Sequence, residues 1–266
     1  MQELFGYLAS VLIGVSLGLI GSGGSILTVP VLVYLFLVDA VAATSYSLFI
    51  VGFTAALGSV QYFRKDLVNV RTAIVFGIPS IIAVFLTRAY IVPAIPKQVF
   101  QVGDFVVTKS ILLLLMFALL MVFSAYSMIK KSEIKESETS GPQKFNYPVI
   151  LIEGLVVGLI TGLVGAGGGF LIIPALVLFS KLPMKEAVGT SLVIIAAKSL
   201  IGFFGESGET FIDWLLISKI SLFAGVGIFV GIYLSKKIDG AKLKPIFGWF
   251  VLAMGIYIIL KETVFS

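Results

Sequence analysis

Eight apolar runs fill most of this 266-residue sequence, at residues 4–36, 41–63, 72–92, 111–129, 147–179, 187–204, 214–234 and 246–260. A helix needs roughly 20 apolar residues to cross the hydrocarbon core of a bilayer, and most of these runs reach or approach that length. Charged residues make up 12% of the chain, about half the share of a typical soluble domain. The strict alternation of a membrane barrel is absent. The sequence therefore predicts an all-α polytopic membrane protein.

The chain contains an internal duplication. Residues 18–30 (GLIGSGGSILTVP) match residues 162–174 (GLVGAGGGFLIIP) at an offset of 144, and Thr44-Ser45 match Thr190-Ser191 at an offset of 146. The intervening polar stretch is the only long one in the chain. We therefore predict a first transmembrane repeat at residues 1–130, a cytoplasmic linker at 131–146 and a second repeat at 147–266.

Loop charges favour one topology for these repeats. The first run of each half is 33 residues long and is interrupted by glycines. If that run crosses the membrane once, the loop lysines and arginines divide nine to nine. If it folds back as a re-entrant hairpin, they divide thirteen to five. Because cytoplasmic loops carry excess Lys and Arg, we predict a broken or re-entrant helix hairpin followed by three transmembrane helices in each half. The two halves would then be inverted repeats, with both termini outside.

The glycine tracts are the predicted substrate-binding elements. A half-helix that begins inside the membrane presents unpaired N–H groups and the positive end of its dipole, and glycines let an anion approach closely. We predict that both tracts line one anion site at the bilayer midplane, built from Gly21, Ser22, Gly23, Gly24, Ser25, Gly165, Gly167, Gly168 and Gly169. The alternative is that glycines serve helix packing, as expected for Gly14/Gly18, Gly154/Gly158/Gly162 and Gly227/Gly231.

Lys198 is the strongest single candidate for substrate binding outside the glycine tracts. It lies within the run 187–204, far from any other charge in sequence, and burying an ammonium at mid-bilayer costs about 2.5–3.5 kcal/mol. Such a lysine either faces a transport pathway, or snorkels or pairs structurally. Its repeat counterpart is Gly52, so a positive site would be asymmetric.

Two hydroxyl pairs complete the candidate binding residues, and one pair of cations has a separate expected role. Thr44, Ser45, Thr190 and Ser191 either bind substrate or satisfy backbone groups as caps or back-bonding hydroxyls. Arg88 and its counterpart Lys236 lie near the ends of apolar runs, so we expect them to anchor their helices at the interface.

Other classes of protein fit the sequence poorly. Without histidine, neither Ser22 nor Ser25 has the usual base of a serine hydrolase. No ATP-binding loop or metal-ligand cluster is present in the sequence, so we predict no enzymatic activity, no metal and no cofactor. Glu153, the only carboxylate within an apolar run, is either interfacial or a proton relay.

The duplicated G-x-G-G-[SG]-x-[LI]-x-[VI]-P motif, the following Thr-Ser and the chain length resemble the TauE/SafE family of sulfite exporters. The resemblance implies a transporter of small sulfur-containing anions, such as sulfite, sulfoacetate or related sulfonates, in the cytoplasmic membrane of a bacterium or archaeon. It points to Gly21, Gly23, Gly24, Pro30, Thr44, Ser45, Gly165, Gly167, Gly168, Pro174, Thr190 and Ser191. Lys198 is not part of the motif.

We therefore predict an exporter that works by alternating access, with a small anion and the lipid bilayer as partners and no nucleic acid. A cation-coupled permease for another solute is the main alternative, because broken helices also build sodium sites. A membrane scaffold protein is a weaker alternative. A monomer and a homodimer both remain open.

Overall fold

The computed structural model describes residues 2–21, 23–102, 105–129, 147–178, 180, 182–205, 212–235 and 240–264. The first half forms helices α1 (Gln2–Ile20), α2 (Gly23–Tyr34), α3 (Ala40–Phe63), α4 (Val70–Leu86), α5 (Val92–Ala94) and α6 (Lys109–Ile129). The second half forms α7 (Tyr147–Val164), α8 (Gly169–Leu178), α9 (Met184–Phe204), α10 (Trp214–Leu234) and α11 (Gly240–Val264). The all-α polytopic class is confirmed. The predicted linker lies outside the described residues.

The first run of each half breaks at its glycine tract, as predicted. Gly21 adopts a φ of +73°, and Gly165, Gly167 and Gly168 adopt +72°, +63° and +74°, a left-handed conformation that residues with a Cβ rarely tolerate. The helices that follow, α2 and α8, contain 12 and 10 residues. At a rise of 1.5 Å per residue they span about 18 and 15 Å, well short of a bilayer core of roughly 30 Å.

Short polar residues fix where the long helices begin. The Asp39 carboxylate accepts from the N–H of Val41 at 2.9 Å, and the side chain of Asn69 accepts from the N–H of Thr72 at 3.0 Å. Asp213 accepts in the same way from the N–H of Leu216 at 2.9 Å. These are N-caps that satisfy the free N–H groups of α3, α4 and α10.

The opening helix of each half packs against a helix of the other half, α1 against α10 and α7 against α4. On α1, a Cβ at Gly14 would overlap the carbonyl of Ala224 and one at Gly18 would lie 2.5 Å from the carbonyl oxygen of Ile228 on α10. On α7, Gly154, Gly158 and Gly162 face Phe76, Ser80 and Thr87 in the same order. The predicted packing glycines are confirmed, and both pairs of helices run parallel.

The equivalent helices α3 and α9 run antiparallel. Gly52 faces Leu200, Gly202 contacts Leu48, and Gly189 contacts Tyr62 near the other end of α3. Contact positions therefore rise along one helix as they fall along the other. This is the arrangement expected of inverted repeats. The orientation of the halves in a membrane, and the depth of the glycine tracts, stay predictions.

The outer surface is apolar, as a bilayer requires. Leu4, Phe5, Leu8 and Leu12 are all more than half exposed on α1. By length and composition, six of the described helical segments are long and apolar enough to cross a membrane: Glu3–Ile20, Ala40–Phe63, Val70–Ala94, Lys109–Tyr126, Met184–Phe204 and Trp214–Leu234. The protein is a multi-pass membrane protein.

The structure that follows α4 was not predicted from the sequence. After α4 the helix continues through a π-helical turn at Thr87–Ile91 into α5, so the apolar element extends to Ala94. A two-stranded antiparallel hairpin, β1 (Gln98–Val102) and β2 (Phe105–Thr108), then leads into α6. The extension places Arg88 within the helical element rather than at its end.

Candidate functional site

Lys198 lies beside the second glycine tract. Its side chain is fully buried in α9, and Nζ donates a hydrogen bond to Thr161 Oγ1 of α7 at 3.0 Å. A Cβ at Gly168 would lie 2.7 Å from the same Nζ atom. The absence of a side chain at Gly168 therefore leaves room for the ammonium group.

Arg88 is also fully buried, and its predicted role as an interfacial anchor is wrong. Its NH1 donates to Thr44 Oγ1 at 3.0 Å and to Ser45 Oγ at 3.3 Å, both on α3. The physical reason is the π-helical turn, which adds one residue to a turn of helix and changes the direction of the side chains that it carries. Single π turns of this kind are frequent at functional sites.

The second glycine tract connects the two cations. A Cβ at Gly165 would overlap Thr44, the partner of Arg88, and one at Gly168 would overlap Thr161, the partner of Lys198. Gly165 and Gly168 are three residues apart, so their Cα atoms are separated by at most about 11 Å. Arg88 and Lys198 therefore each donate to a threonine that packs against this short piece of backbone, Thr44 at Gly165 and Thr161 at Gly168.

Ser199 adds a hydroxyl between them. A Cβ at Gly167 would lie 3.4 Å from Ser199 Oγ. The Ser199 side chain is fully buried, and its hydroxyl has no hydrogen-bond partner among the described residues. A buried hydroxyl without a partner is costly, and a bound ligand or water normally satisfies it.

The charge of this region is positive. In the part of the chain that the structure describes, the fully buried charged side chains are Arg88 and Lys198, and no aspartate or glutamate is buried beside them. Two buried cations near the start of a helix suit this region to bind an anion, although the N–H groups of Leu171 and Ile172 in the first turn of α8 already donate to the Gly168 carbonyl.

The first glycine tract has different surroundings. A Cβ at Gly21 would meet Val188 Cγ1 at 2.6 Å and Ile173 Cδ1 at 3.1 Å, and one at Gly24 would overlap the Ile13 carbonyl of α1. Ser25 is fully buried in α2, Gly23 begins that helix, and Ser22 lies outside the described residues. That this tract binds substrate stays a prediction, since the described neighbours of Gly21 and Gly24 are apolar side chains, backbone and the Thr28 hydroxyl, which donates to the Gly24 carbonyl.

The two Thr-Ser pairs also have different hydrogen-bond partners. The hydroxyls of Thr44 and Ser45 donate to the carbonyl of Val41 and accept hydrogen bonds from Arg88 NH1. Thr190 Oγ1 instead accepts from the N–H of Asn69 at 2.9 Å, and Ser191 donates to the carbonyl of Val188 at 2.8 Å. The second pair therefore links α9 to the start of α4. A role of that pair in binding substrate remains a prediction.

The family model described as "Sulfite exporter TauE/SafE" matches residues 7–258. The chain belongs to this family. It is similar to a "Probable membrane transporter protein" of Xylella fastidiosa (strain Temecula1), 26% identical over 261 residues that cover 94% of this chain and 92% of the relative. It is also similar to the "Probable membrane transporter protein YunE" of Bacillus subtilis, 26% identical over 262 residues that cover 93% of each. No solved structure matches.

Membership of the TauE/SafE family makes this protein a membrane transporter. The printed names of the relatives give no substrate. Substrate identity must therefore be argued from the site itself.

Sequence reasoning missed Arg88, Thr161 and Ser199 as site residues. Arg88 carried the same signal as Lys198, a charge inside an apolar run, but its position four residues from the end of the run 72–92 suggested an interface. Thr161 and Ser199 carried no distinguishing signal.

Glu153, on α7, is half-buried, and its Oε2 has no hydrogen-bond partner among the described residues. The two roles predicted for it remain open.

Proposed function

We propose that the protein transports small sulfur-containing oxyanions, such as sulfite, sulfoacetate or related sulfonates, across the cytoplasmic membrane of a prokaryote. The observation that carries this proposal is that Lys198 lies beside Gly168 and that Arg88 donates to Thr44, which packs against Gly165, with both cations fully buried. Family membership adds a sulfur oxyanion as the substrate class.

The site would bind an anion in three ways. The cations supply charge and charge-assisted hydrogen bonds, which contribute about 1.5–3 kcal/mol each. The Ser199 hydroxyl supplies a donor that replaces water. The hydroxyls of Thr44 and Ser45 donate to the Val41 carbonyl, and their oxygens accept from Arg88 NH1 and so hold the guanidinium in place. The start of α8 supplies the positive end of a helix dipole. Sulfite and sulfonate groups present several oxygens on one sulfur, so they match donors that converge from several directions.

The same charges disfavour a sodium site at this tract. At a separation of about 10 Å and an effective dielectric constant of about 20, two unit charges of like sign repel by about 1.7 kcal/mol. A cation placed near both Arg88 and Lys198 meets that repulsion twice. The anion transporter is therefore better supported than the cation-coupled permease.

Alternating access is supported by the way the halves interlock. Each half contributes its opening helix to the other, α1 on α10 and α7 on α4, so a rocking motion of one part against the other would expose the tract to each side in turn. Export of an anion needs no additional coupling, because a negative-inside potential drives each charge outward by about 2.3 kcal/mol per 100 mV.

Flux measurements in proteoliposomes test this function. We expect sulfite flux that depends on the protein and increases when an inside-negative potential drives the anion outward, with little chloride flux. Lys219→Met serves as a matched control, because Lys219 is an exposed lysine of α10 away from the site. Absence of flux for every sulfur oxyanion, with sodium-dependent uptake of a neutral solute instead, would refute the proposal.

A further inference from the structure

An apolar groove of about 210 Å³ lies between α4 and α9. It is lined by Ile74 and Ile81 of α4, by Val193 and Ala197 of α9, by Phe63 at the end of α3 and by Val68 in the loop before α4. All the lining side chains are apolar. Because Phe63 and Ile74 are about half exposed, the groove opens on the outer surface that faces lipid.

The groove extends over the depth of about one leaflet. Its lining residues on α4 run from Val70 to Ile81, a length of about 16 Å at 1.5 Å per residue. The whole hydrocarbon core of a bilayer is roughly 30 Å thick. Val70 is the first residue of α4, so the groove starts where this membrane-crossing element starts and continues inward. Its length therefore matches the acyl chains of one leaflet.

The chain segment at the outer end of the groove is positively charged. Arg64, Lys65 and Arg71 belong to it, and all three side chains are exposed. Asp66 is the single carboxylate in residues 63–71, which gives this segment a formal charge of +2. The neighbouring start of α9 adds one lysine and one glutamate, which cancel. The predicted topology places the segment at the cytoplasmic surface, where the leaflet carries anionic lipids.

We infer that this groove is a binding site for an anionic phospholipid, separate from the transport of small anions. One acyl chain lies between α4 and α9, and the headgroup phosphate contacts Arg64 and Lys65. A guanidinium can bind phosphate through two parallel hydrogen bonds, and basic residues beside a membrane attract anionic lipids. A zwitterionic lipid gains the same apolar contact but less from the charges, so the groove favours a headgroup with net negative charge.

Binding of two lipids that differ in headgroup charge tests the inference. Phosphatidylglycerol and phosphatidylcholine with the same acyl chains are titrated onto the full-length protein, purified in detergent and freed of bound lipid. Native mass spectrometry measures how much of each lipid binds, and thermal unfolding measures how much each stabilises the protein. We expect phosphatidylglycerol to bind about tenfold or more tightly, because each basic residue near the surface contributes about fivefold.

Two variants connect the binding to this groove. The double variant Arg64→Gln with Lys65→Gln should abolish most of the preference for phosphatidylglycerol, whereas Lys219→Gln on α10 should leave it unchanged. Both changes affect exposed side chains, so the proteins should fold. Ala73→Leu places a larger side chain in the groove and should weaken the binding of both lipids. Ala253→Leu, at an exposed position of α11, is its control and should bind both as wild type does.

Several results would overturn the inference. Equal affinity of the wild-type protein for the two lipids would show that headgroup charge plays no part. A preference that survives in the double variant would place the headgroup elsewhere. Displacement of phosphatidylglycerol by an equal concentration of glycerol phosphate would show that the basic segment binds free phosphate without an acyl chain. Loss of a dimer in Ala73→Leu, with no effect of either lipid, would show that a second copy covers the groove.

Discussion

The ammonium group of Lys198 occupies the space beside Gly168 that a side chain at that position would fill. The two residues come from α9 and from the turn between α7 and α8, and a Cβ at Gly168 would lie 2.7 Å from Lys198 Nζ. The glycine is also held at a φ of +74°. Two independent constraints, backbone conformation and available space, thus require glycine here, and the second comes from Thr161 as well as from the buried cation.

Gly168→Ala should therefore impair anion binding and destabilise the protein. A residue with a Cβ in this conformation is strained by about 1–3 kcal/mol, and the added methyl group would displace Lys198 or Thr161. We expect a lower thermal unfolding temperature in detergent and at least a tenfold weaker sulfite affinity, the consequence of about 1.4 kcal/mol lost from binding.

Gly77→Ala is the matched control. Gly77 lies in α4, where a Cβ would make an ordinary contact of 3.8 Å with Ile194. Alanine there should leave binding unchanged and slightly raise stability, because glycine weakens a helix interior by about 0.5–1 kcal/mol relative to alanine. If Gly168→Ala bound sulfite with wild-type affinity, the glycines of the second tract would serve helix packing and not anion binding.

The sequence was sufficient to predict the membrane class, the repeat and the broken helices, because each depends on local chemistry. The length of an apolar run sets the number of spans, and consecutive glycines such as Gly167 and Gly168 permit left-handed backbone wherever they occur. The packing of Gly14 and Gly18 against α10 was also predictable, since small residues one turn apart form a groove.

The asymmetry of the candidate site was only partly predictable. Lys198 was identified because its apolar neighbours and the absence of a repeat counterpart are visible in sequence. The inward position of Arg88 depends on a π-helical turn at Thr87–Ile91, which forms where Thr87 packs on Gly162 of the other half. That contact joins residues 75 positions apart, and nothing in the local sequence specifies it.

Arg88 and Thr44 should act together on anion affinity. Thr44 Oγ1 accepts from Arg88 NH1 at 3.0 Å, so Thr44→Val removes a group that orients the guanidinium. We expect a double-mutant cycle of Thr44→Val and Arg88→Gln, measured on sulfite affinity, to give a coupling of about 0.5–3 kcal/mol.

Thr190→Val provides the control for this cycle, because Thr190 is the repeat counterpart of Thr44. Its hydroxyl accepts from the N–H of Asn69, so its loss should lower stability by about 0.5–1.5 kcal/mol, the net contribution of a typical hydrogen bond. It should leave the response to Arg88→Gln unaltered. Strict additivity in the Thr44 cycle would mean that the hydrogen bond has no part in binding.

Inverted repeats predict opposite sides of the membrane for two loops. Residue 138 lies in the predicted cytoplasmic linker and residue 208 between α9 and α10, both outside the described residues. Since the native chain has no cysteine, Glu138→Cys and Gly208→Cys can be labelled in intact cells with a membrane-impermeant maleimide. We expect labelling at 208 and protection at 138 until the membrane is permeabilised. Labelling of both from the same side would contradict the inverted arrangement.

Lys198 should contribute to anion affinity at the expense of stability. A buried ammonium loses its hydration, and here its described hydrogen bond is to the hydroxyl of Thr161. Lys198→Met keeps much of the volume and removes the charge, so we expect sulfite affinity to fall by about 1–3 kcal/mol, the range for a charge-assisted hydrogen bond. Lys198→Arg should retain part of the affinity, because the charge persists while the geometry changes.

In the absence of anion the Met variant should unfold at a higher temperature than wild type, since an apolar side chain costs nothing to desolvate. Saturating sulfite should narrow that difference, because ligand stabilises the wild-type protein more. Unchanged sulfite affinity in Lys198→Met would instead make Lys198 a structural residue, and the anion would then depend on Arg88 and the glycine backbone alone.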